Sequence, residues 1–276
     1  YYNGFYIAVD FFFMLSGFLL YKSVDTKEAG WTVPQIIRKK IVRLYPEYFA
    51  ALVVSVLWRL ALHAFALPMD VLRTAMDLCM LQIFPPDAVT INGITWYISA
   101  MVWCFPLLLL GLKRFPKLYV SLIAPVMSVL IYGFFARNWH HVDFGLVWIG
   151  FANGGLIRGF AAMNLGVLAY VVTKKIAPSQ WVRHHGDLLA LAELLIMATV
   201  LVYAVLNRQT IWDFVMVGLL FIGIVIAFCE KGFLYRLCRN PVTAYLGKIS
   251  YSIYLNQLFV IMLTGRLKIS FVPLQL

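Results

Sequence analysis

Four groups of residues in this chain have types and spacings that can do chemistry. The first is Val9-Asp10-Phe11-Phe12-Phe13-Met14-Leu15-Ser16-Gly17-Phe18-Leu19-Leu20. Asp10 is an acid within an apolar run, and an ionisable group inside a membrane segment is costly enough to mark a functional site by default. On a helix Asp10, Phe13, Met14 and Gly17 share a face at i, i+3, i+4 and i+7, with Ser16 well round from it. Gly17 carries no side chain, so another helix or a ligand can come close. The plain alternative is a packing helix with Asp10 at the water interface. The residues of this stretch leave both open.

The second group is basic: Arg38-Lys39-Lys40-Ile41-Val42-Arg43-Leu44-Tyr45-Pro46. If the stretch is helical, Lys40 and Arg43 share a face. Such a face at the inner membrane surface suits a phosphorylated cytoplasmic ligand, held by charge-assisted hydrogen bonds. It equally suits a topogenic segment touching anionic lipid. Pro46 fits the first turn of a following span. The third group is Arg158 in Gly154-Gly155-Leu156-Ile157-Arg158-Gly159, expected to turn towards the bundle, where it can hold an acid or a sugar hydroxyl. The fourth, Gly247 to Gln257, puts Ser250, Tyr254 and Gln257 on one stripe and Ser252 and Asn256 on another. Polar stripes in a membrane helix glue helices together or line a cavity. Of the histidines, His63 reads as a core or interfacial residue. His140 and His141 sit beside Asp143, solvated or serving as a general base. No phosphate loop, nucleophile elbow or zinc signature is present.

The elements that must position these groups follow from composition. The 276 residues are 63% hydrophobic and 13% charged, against about half and a quarter in soluble domains. The expected fold is all-α, a polytopic transmembrane bundle. Eight spans are expected: Phe5 to Tyr21, Tyr48 to Leu67, Ile94 to Leu112, Leu118 to Phe135, Trp148 to Val172, Leu188 to Leu206, Ile211 to Phe228 and Ala244 to Leu263. Pro125 should kink the fourth. Val71 to Phe84 is too short to span and reads as interfacial or re-entrant. The formal charge of +11 lies in the connections, as orientation and headgroup signals rather than a nucleic-acid surface. Segments 22–43, 113–117, 174–187 and 230–240 are the basic ones, which places them in the cytoplasm and residue 1 outside. Cys79, Cys104, Cys229 and Cys238 have neither ligand nor pairing spacing and read as packing residues. Residues 1–24 lack the basic n-region of a signal peptide, so the sequence is expected to be one that has lost an earlier helix.

Taken together, these stretches resemble a known family. The run from Val9 to Leu19 is similar to the "VDxFFxLSGF" signature of the acyltransferase 3 family of integral membrane acyltransferases. Arg38 to Pro46 resembles its basic segment ending in "RxxP", Thr95-Trp96-Tyr97-Ile98-Ser99 its "WYxS" span start, and Leu246 to Leu255 its "LGxxSYxIYL" helix. The resemblance implies a single domain over 1–276, of ten helices when intact, with the first and last missing here. It implies transfer of an acetyl or other short acyl group from acyl-CoA to a hydroxyl of a glycan, cell-surface polysaccharide or lipid-linked sugar, in the bacterial inner membrane and without a metal.

The resemblance also implies roles. Lys40 and Arg43, with Arg38, take the place of the paired arginines near the CoA phosphates, although lysine lacks the bidentate fork. Ser16, Trp96, Arg158, Tyr251, Tyr254 and Asn256 become candidates for binding the acceptor. Asp10 would orient a catalytic histidine that the family carries on a preceding helix and this sequence lacks. Asn256 stands where a histidine is common, and Ala100-Met101 replace an acid after "WYxS". A multi-span transporter or flippase of a glycan or small molecule, and a catalytically dead relative, are the competing expectations. The inverted repeats that would favour a transporter are not detectable.

Overall fold

The computed structural model describes residues 4–26, 30–85, 90–150, 152–206 and 208–266. The chain is an all-α bundle, with one two-residue β-hairpin. In chain order it runs α1 (Ile7–Asp25), α2 (Val33–Ala61), α3 (Met69–Leu78), α4 (Trp96–Arg114), α5 (Pro116–Leu118) and α6 (Ala124–Asn138). Then come β1 (Trp148–Ile149), β2 (Ala152–Asn153), α7 (Gly154–Ile176), α8 (Gln180–His184), α9 (Gly186–Leu206), α10 (Asp213–Ala227), α11 (Phe233–Leu237) and α12 (Pro241–Arg266).

Among the described residues, six helical segments are long and apolar enough to cross a membrane, ending at Asp25, Ala61, Arg114, Asn138, Ile176 and Leu206. The protein is therefore a multi-pass membrane protein. The other two expected spans, α10 and α12, fall short of that criterion on one count each. α10 is apolar but has only 15 residues, about 22 Å at 1.5 Å per residue, short of a 30 Å hydrocarbon core. α12 is long enough, with 26 residues, but its Lys248 to Gln257 stretch is too polar.

Two boundaries also move. α2 begins at Val33 and runs through Pro46 without a break. The basic stretch is therefore on a helix, and Pro46 lies inside that helix rather than in its first turn. The start is set by Pro34 in the first turn and by the Thr32 N–H donating to Gln35 Oε1 at 3.1 Å. The fifth expected span starts later than Trp148, because Trp148 and Ile149 pair antiparallel with Asn153 and Ala152. Asn153 then caps α7, its Oδ1 accepting from the Gly155 and Leu156 N–H groups at 2.8 and 3.3 Å. Pro125 disturbs its helix as expected: it has no N–H for the Ser121 carbonyl, and the turn Tyr119–Ile123 widens to π geometry.

α1 and α7 cross at the centre. A Cβ on Gly17 would collide with the Met163 carbonyl, and one on Gly166 with that of Met14. Only glycine at both positions lets the backbones touch. α4, α6 and α10 pack around this pair, α9 lies outside α10, and α2 pairs with α12 on the other side. One end of the bundle is basic: Lys174 Nζ is 2.6 Å from Asp25 Oδ2, and Lys113 Nζ donates to the Trp31 carbonyl at 3.0 Å. Asp10 is 15 residues from that end along α1, about 22 Å. The four cysteines are free, Cys104 and Cys229 buried and Cys79 and Cys238 exposed.

Candidate functional site

Asp10, Phe13, Met14 and Gly17 all point inward, as their spacing predicts. Asp10 is fully buried, and Arg158 from the second turn of α7 meets it there with 1% exposure. Arg158 Nε and Nη2 both donate to Asp10 Oδ2, at 3.1 and 2.5 Å. The Tyr132 hydroxyl of α6 donates to Oδ1 at 2.9 Å. Arg158 also donates to two backbone carbonyls, Tyr6 at 2.6 Å and Phe144 at 3.2 Å. The guanidinium fork thus ties α1, α7 and the segment before β1 into one buried network, which is what planar multidentate geometry does well. A carboxylate has about four acceptor sites. Three are used, leaving one on Oδ1.

A second buried acid, Asp213, closes the same end. Tyr6 Oη is 2.8 Å from both of its oxygens, Tyr203 Oη donates to Oδ1 at 2.5 Å, and the Val142 N–H donates to Oδ2 at 3.0 Å. Between this hub and Arg158 lies His141. Its ring stacks on Phe144, 5.0 Å between centroids, and its Nδ1 accepts from the Asp143 N–H at 3.1 Å. Burial pushes the His141 imidazole below its ordinary pKa, and the N–H donated to Nδ1 leaves Nε2 as the ring's donor. His140 is exposed. His63 is exposed too, just past the end of α2 at φ 52°, and so is not a core residue.

Ser16 sits on a different wall. Its hydroxyl donates back to the Phe12 carbonyl at 2.8 Å and lies 3.2 Å from Tyr97 Oη and 3.2 Å from Met101 Sδ. Tyr97 packs 5.7 Å from the Tyr254 ring and 4.5 Å from Phe13, and Phe13 is 6.1 Å from Trp96. Trp96 fills the space that Gly155 leaves open. Tyr254 Oη donates to the Ile94 carbonyl at 2.9 Å. The result is an aromatic wall made by α1, α4 and α12, with the Ser16 and Tyr97 hydroxyls on it.

α2 and α12 join below that wall. Tyr251 Oη donates to the Leu44 carbonyl at 3.3 Å, and Ser252 Oγ to Glu47 Oε2 at 2.7 Å. Glu47 follows Lys40 and Arg43 at i+7 and i+4, so this face of α2 carries an acid that the sequence reading passed over. Arg38 and Arg43 are exposed and Lys40 is half-buried. Asn256 turns back on its own helix, donating to the Ser252 carbonyl at 2.9 Å.

Beyond the far end of α2, α3 carries Asp77. Burial raises its carboxyl to about 6, opposed by hydrogen bonds from the Ile91 N–H at 2.7 Å and the Thr90 hydroxyl at 2.9 Å. Among the described residues no group of three or more His, Cys, Asp or Glu side chains could hold a metal.

The expected site residues therefore fall into three sets. Asp10 and Arg158 are joined directly. Ser16, Trp96 and Tyr254 share the aromatic wall through Tyr97 and Phe13. Arg38, Lys40 and Arg43 share α2 with the contacts of Tyr251 and Ser252. Arg158 is not on the aromatic wall: its donors are taken by Asp10, Tyr6 and Phe144. Tyr132, Asp213 and Glu193 were missed. The signal that marked Asp10, an acid inside an apolar run, would also have found Glu193.

Among the described residues, then, the chain is a multi-pass helical bundle with one ion pair buried on both sides, Asp10–Arg158, and a polar aromatic wall. The sequence profile of the acyltransferase 3 family, described as an acyltransferase domain, matches residues 1–275. The chain belongs to that family, and its activity in the broad sense is acyl transfer. No curated protein and no solved structure matches the chain.

Proposed function

We propose that this domain moves an acetyl or other short acyl group from cytoplasmic acyl-CoA to a hydroxyl of a glycan, cell-surface polysaccharide or lipid-linked sugar, in a bacterial inner membrane. The observation that carries the proposal is the family match over the whole chain, combined with a polar aromatic wall standing above a basic helix face. In this arrangement Arg38, Lys40 and Arg43 hold the CoA phosphates at the basic end. The Ser16, Tyr97 and Tyr254 wall orients the acceptor and thioester, with Trp96 behind it and Tyr251 and Asn256 beneath.

The acceptor oxygen attacks the thioester carbonyl carbon, a base takes its proton, and a tetrahedral oxyanion forms. Collapse breaks the C–S bond, and the CoA thiolate takes up a proton. Asp10 acts by position. Its remaining Oδ1 acceptor site suits an imidazole N–H, which it would hold and orient. Arg158 fixes Asp10 instead of touching the acceptor.

The test is incubation of membranes containing the full-length protein with acetyl-labelled acetyl-CoA. Label is expected in a glycan or lipid-linked sugar fraction and is expected to be lost in Asp10→Asn. If that variant turns over at a near-normal rate, the positional role is wrong. If no label leaves the CoA pool, the transferase reading itself fails.

A further inference from the structure

A cavity of about 300 Å³ lies between α9 and α10, floored by Phe11 of α1 and closed at one end by Leu234 of α11. Met197, Val200, Gly223 and Phe228 line it. Its one ionisable side chain is Glu193, 1% exposed in the second turn of α9. Glu193 Oε2 accepts from the Leu234 N–H at 2.9 Å and the Phe233 N–H also bonds to this carboxylate, so the acid caps α11, while Oε1 itself has no partner among the described residues. This acid belongs neither to the Asp10 network nor to the aromatic wall. A carboxylate oxygen buried in apolar surroundings without a partner is strongly destabilising, so the site is built to receive a donor.

The surroundings define that donor further. Leu191, Leu194, Leu195 and Leu201 of α9 and Val215 and Ile222 of α10 are exposed apolar residues, which in a membrane protein face lipid tails. The cavity has room for a segment of an acyl chain. At the Glu193 end stand two exposed lysines. Lys231 immediately precedes Gly232, whose position against Glu193 leaves no room for a side chain. Lys22 Nζ lies 5.9 Å from the centroid of the Phe228 ring.

We infer that this cavity is a binding site for a phospholipid with a primary-amine headgroup. One acyl chain lies along Met197 and Val200, the phosphate meets Lys22 and Lys231, and the ammonium donates to Glu193 Oε1. Only an amine that still carries N–H can satisfy that oxygen, so a quaternary ammonium of equal charge is excluded by chemistry rather than size. The site is independent of the acyl-transfer reading.

Native mass spectrometry of the full-length protein, with phosphatidylethanolamine and phosphatidylcholine of identical chains, tests it. Retention of the ethanolamine lipid is expected to be at least about ten-fold greater. Glu193→Gln keeps an acceptor for the Leu234 N–H and is expected to abolish that preference. Gly223→Leu fills the cavity without touching Glu193 and is expected to lose both lipids. Equal retention of the two lipids by the wild-type protein overturns the proposal, since a capping role for Glu193 predicts no headgroup preference. A preference that survives either folded variant overturns it as well.

Discussion

Replacing Arg158 with methionine isolates the central ion pair. Methionine occupies much of the arginine stem but supplies no donors, so the Asp10 carboxylate stays buried with only the Tyr132 hydroxyl. Breaking a buried pair by removing one partner costs about 3–5 kcal/mol, because an uncompensated charge is left in the interior. The Tyr6 and Phe144 carbonyls also lose their Arg158 donors, at roughly 1–3 kcal/mol for each one left unsatisfied. Arg158→Met should therefore destabilise by at least about 3 kcal/mol. Arg158→Lys should recover only part of this, since one ammonium cannot reach both carbonyls and Asp10 Oδ2 as the fork does. The double variant Asp10→Leu with Arg158→Met removes both charges and should be more stable than Arg158→Met alone. Equilibrium unfolding in mixed micelles, followed by tryptophan fluorescence, measures all three. A cost below about 1 kcal/mol for Arg158→Met, or additive effects in the double variant, would refute the idea of a coupled buried pair.

Three further outcomes are expected. Gly17→Leu should force α1 and α7 apart at their crossing and prevent folding to a monodisperse species by size-exclusion chromatography, whereas Gly133→Leu, where a side chain meets open space, should not. Asp77 has its pKa raised from 3.8 to about 6, so its protonated form favours the folded state. Its contribution is full below about pH 4 and lost as pH rises through 6, roughly 3 kcal/mol in all; Asp77→Asn should flatten unfolding profiles over that window, and an unchanged slope would count against a raised pKa. Lys40→Ala with Arg43→Ala should raise KM for acyl-CoA about ten-fold or more while leaving the acceptor KM within about two-fold. Unaltered CoA dependence would reassign that face to topology alone.

The inward face of α1 was legible in the sequence because helical periodicity states which residues share a side. Gly17 was legible because a missing side chain in an apolar run has few uses besides close approach. What faced Asp10 was not legible. Periodicity orders residues along one helix and carries no information about which helix lies opposite, so Tyr132 and the Phe144 carbonyl emerged only with the fold. Arg158 was expected to turn inward and hold an acid or a sugar hydroxyl; it holds the acid.

The start of α2 was misplaced for a physical reason. Pro46 resembles a first-turn proline, but the Thr32-Val33-Pro34-Gln35 signal upstream is the stronger one, and a long helix tolerates an interior proline where its neighbours compensate. The expected span count exceeds the six described helices for a different reason. α10 and α12 sit at the two limits of the criterion, one too short and the other too polar, and composition does not say how such helices are accommodated.

The Asp10–Arg158 contact joins residues 148 positions apart. At roughly 5–20 residues synthesised per second, about 7–30 s separate the emergence of one from the other. During that interval α1 must wait in or beside the membrane with an unneutralised acid and an open glycine face. The bundle therefore cannot mature helix by helix from its N-terminal side. Its centre is completed only when α7 is delivered, which makes the first helix dependent on the later half of its own translation.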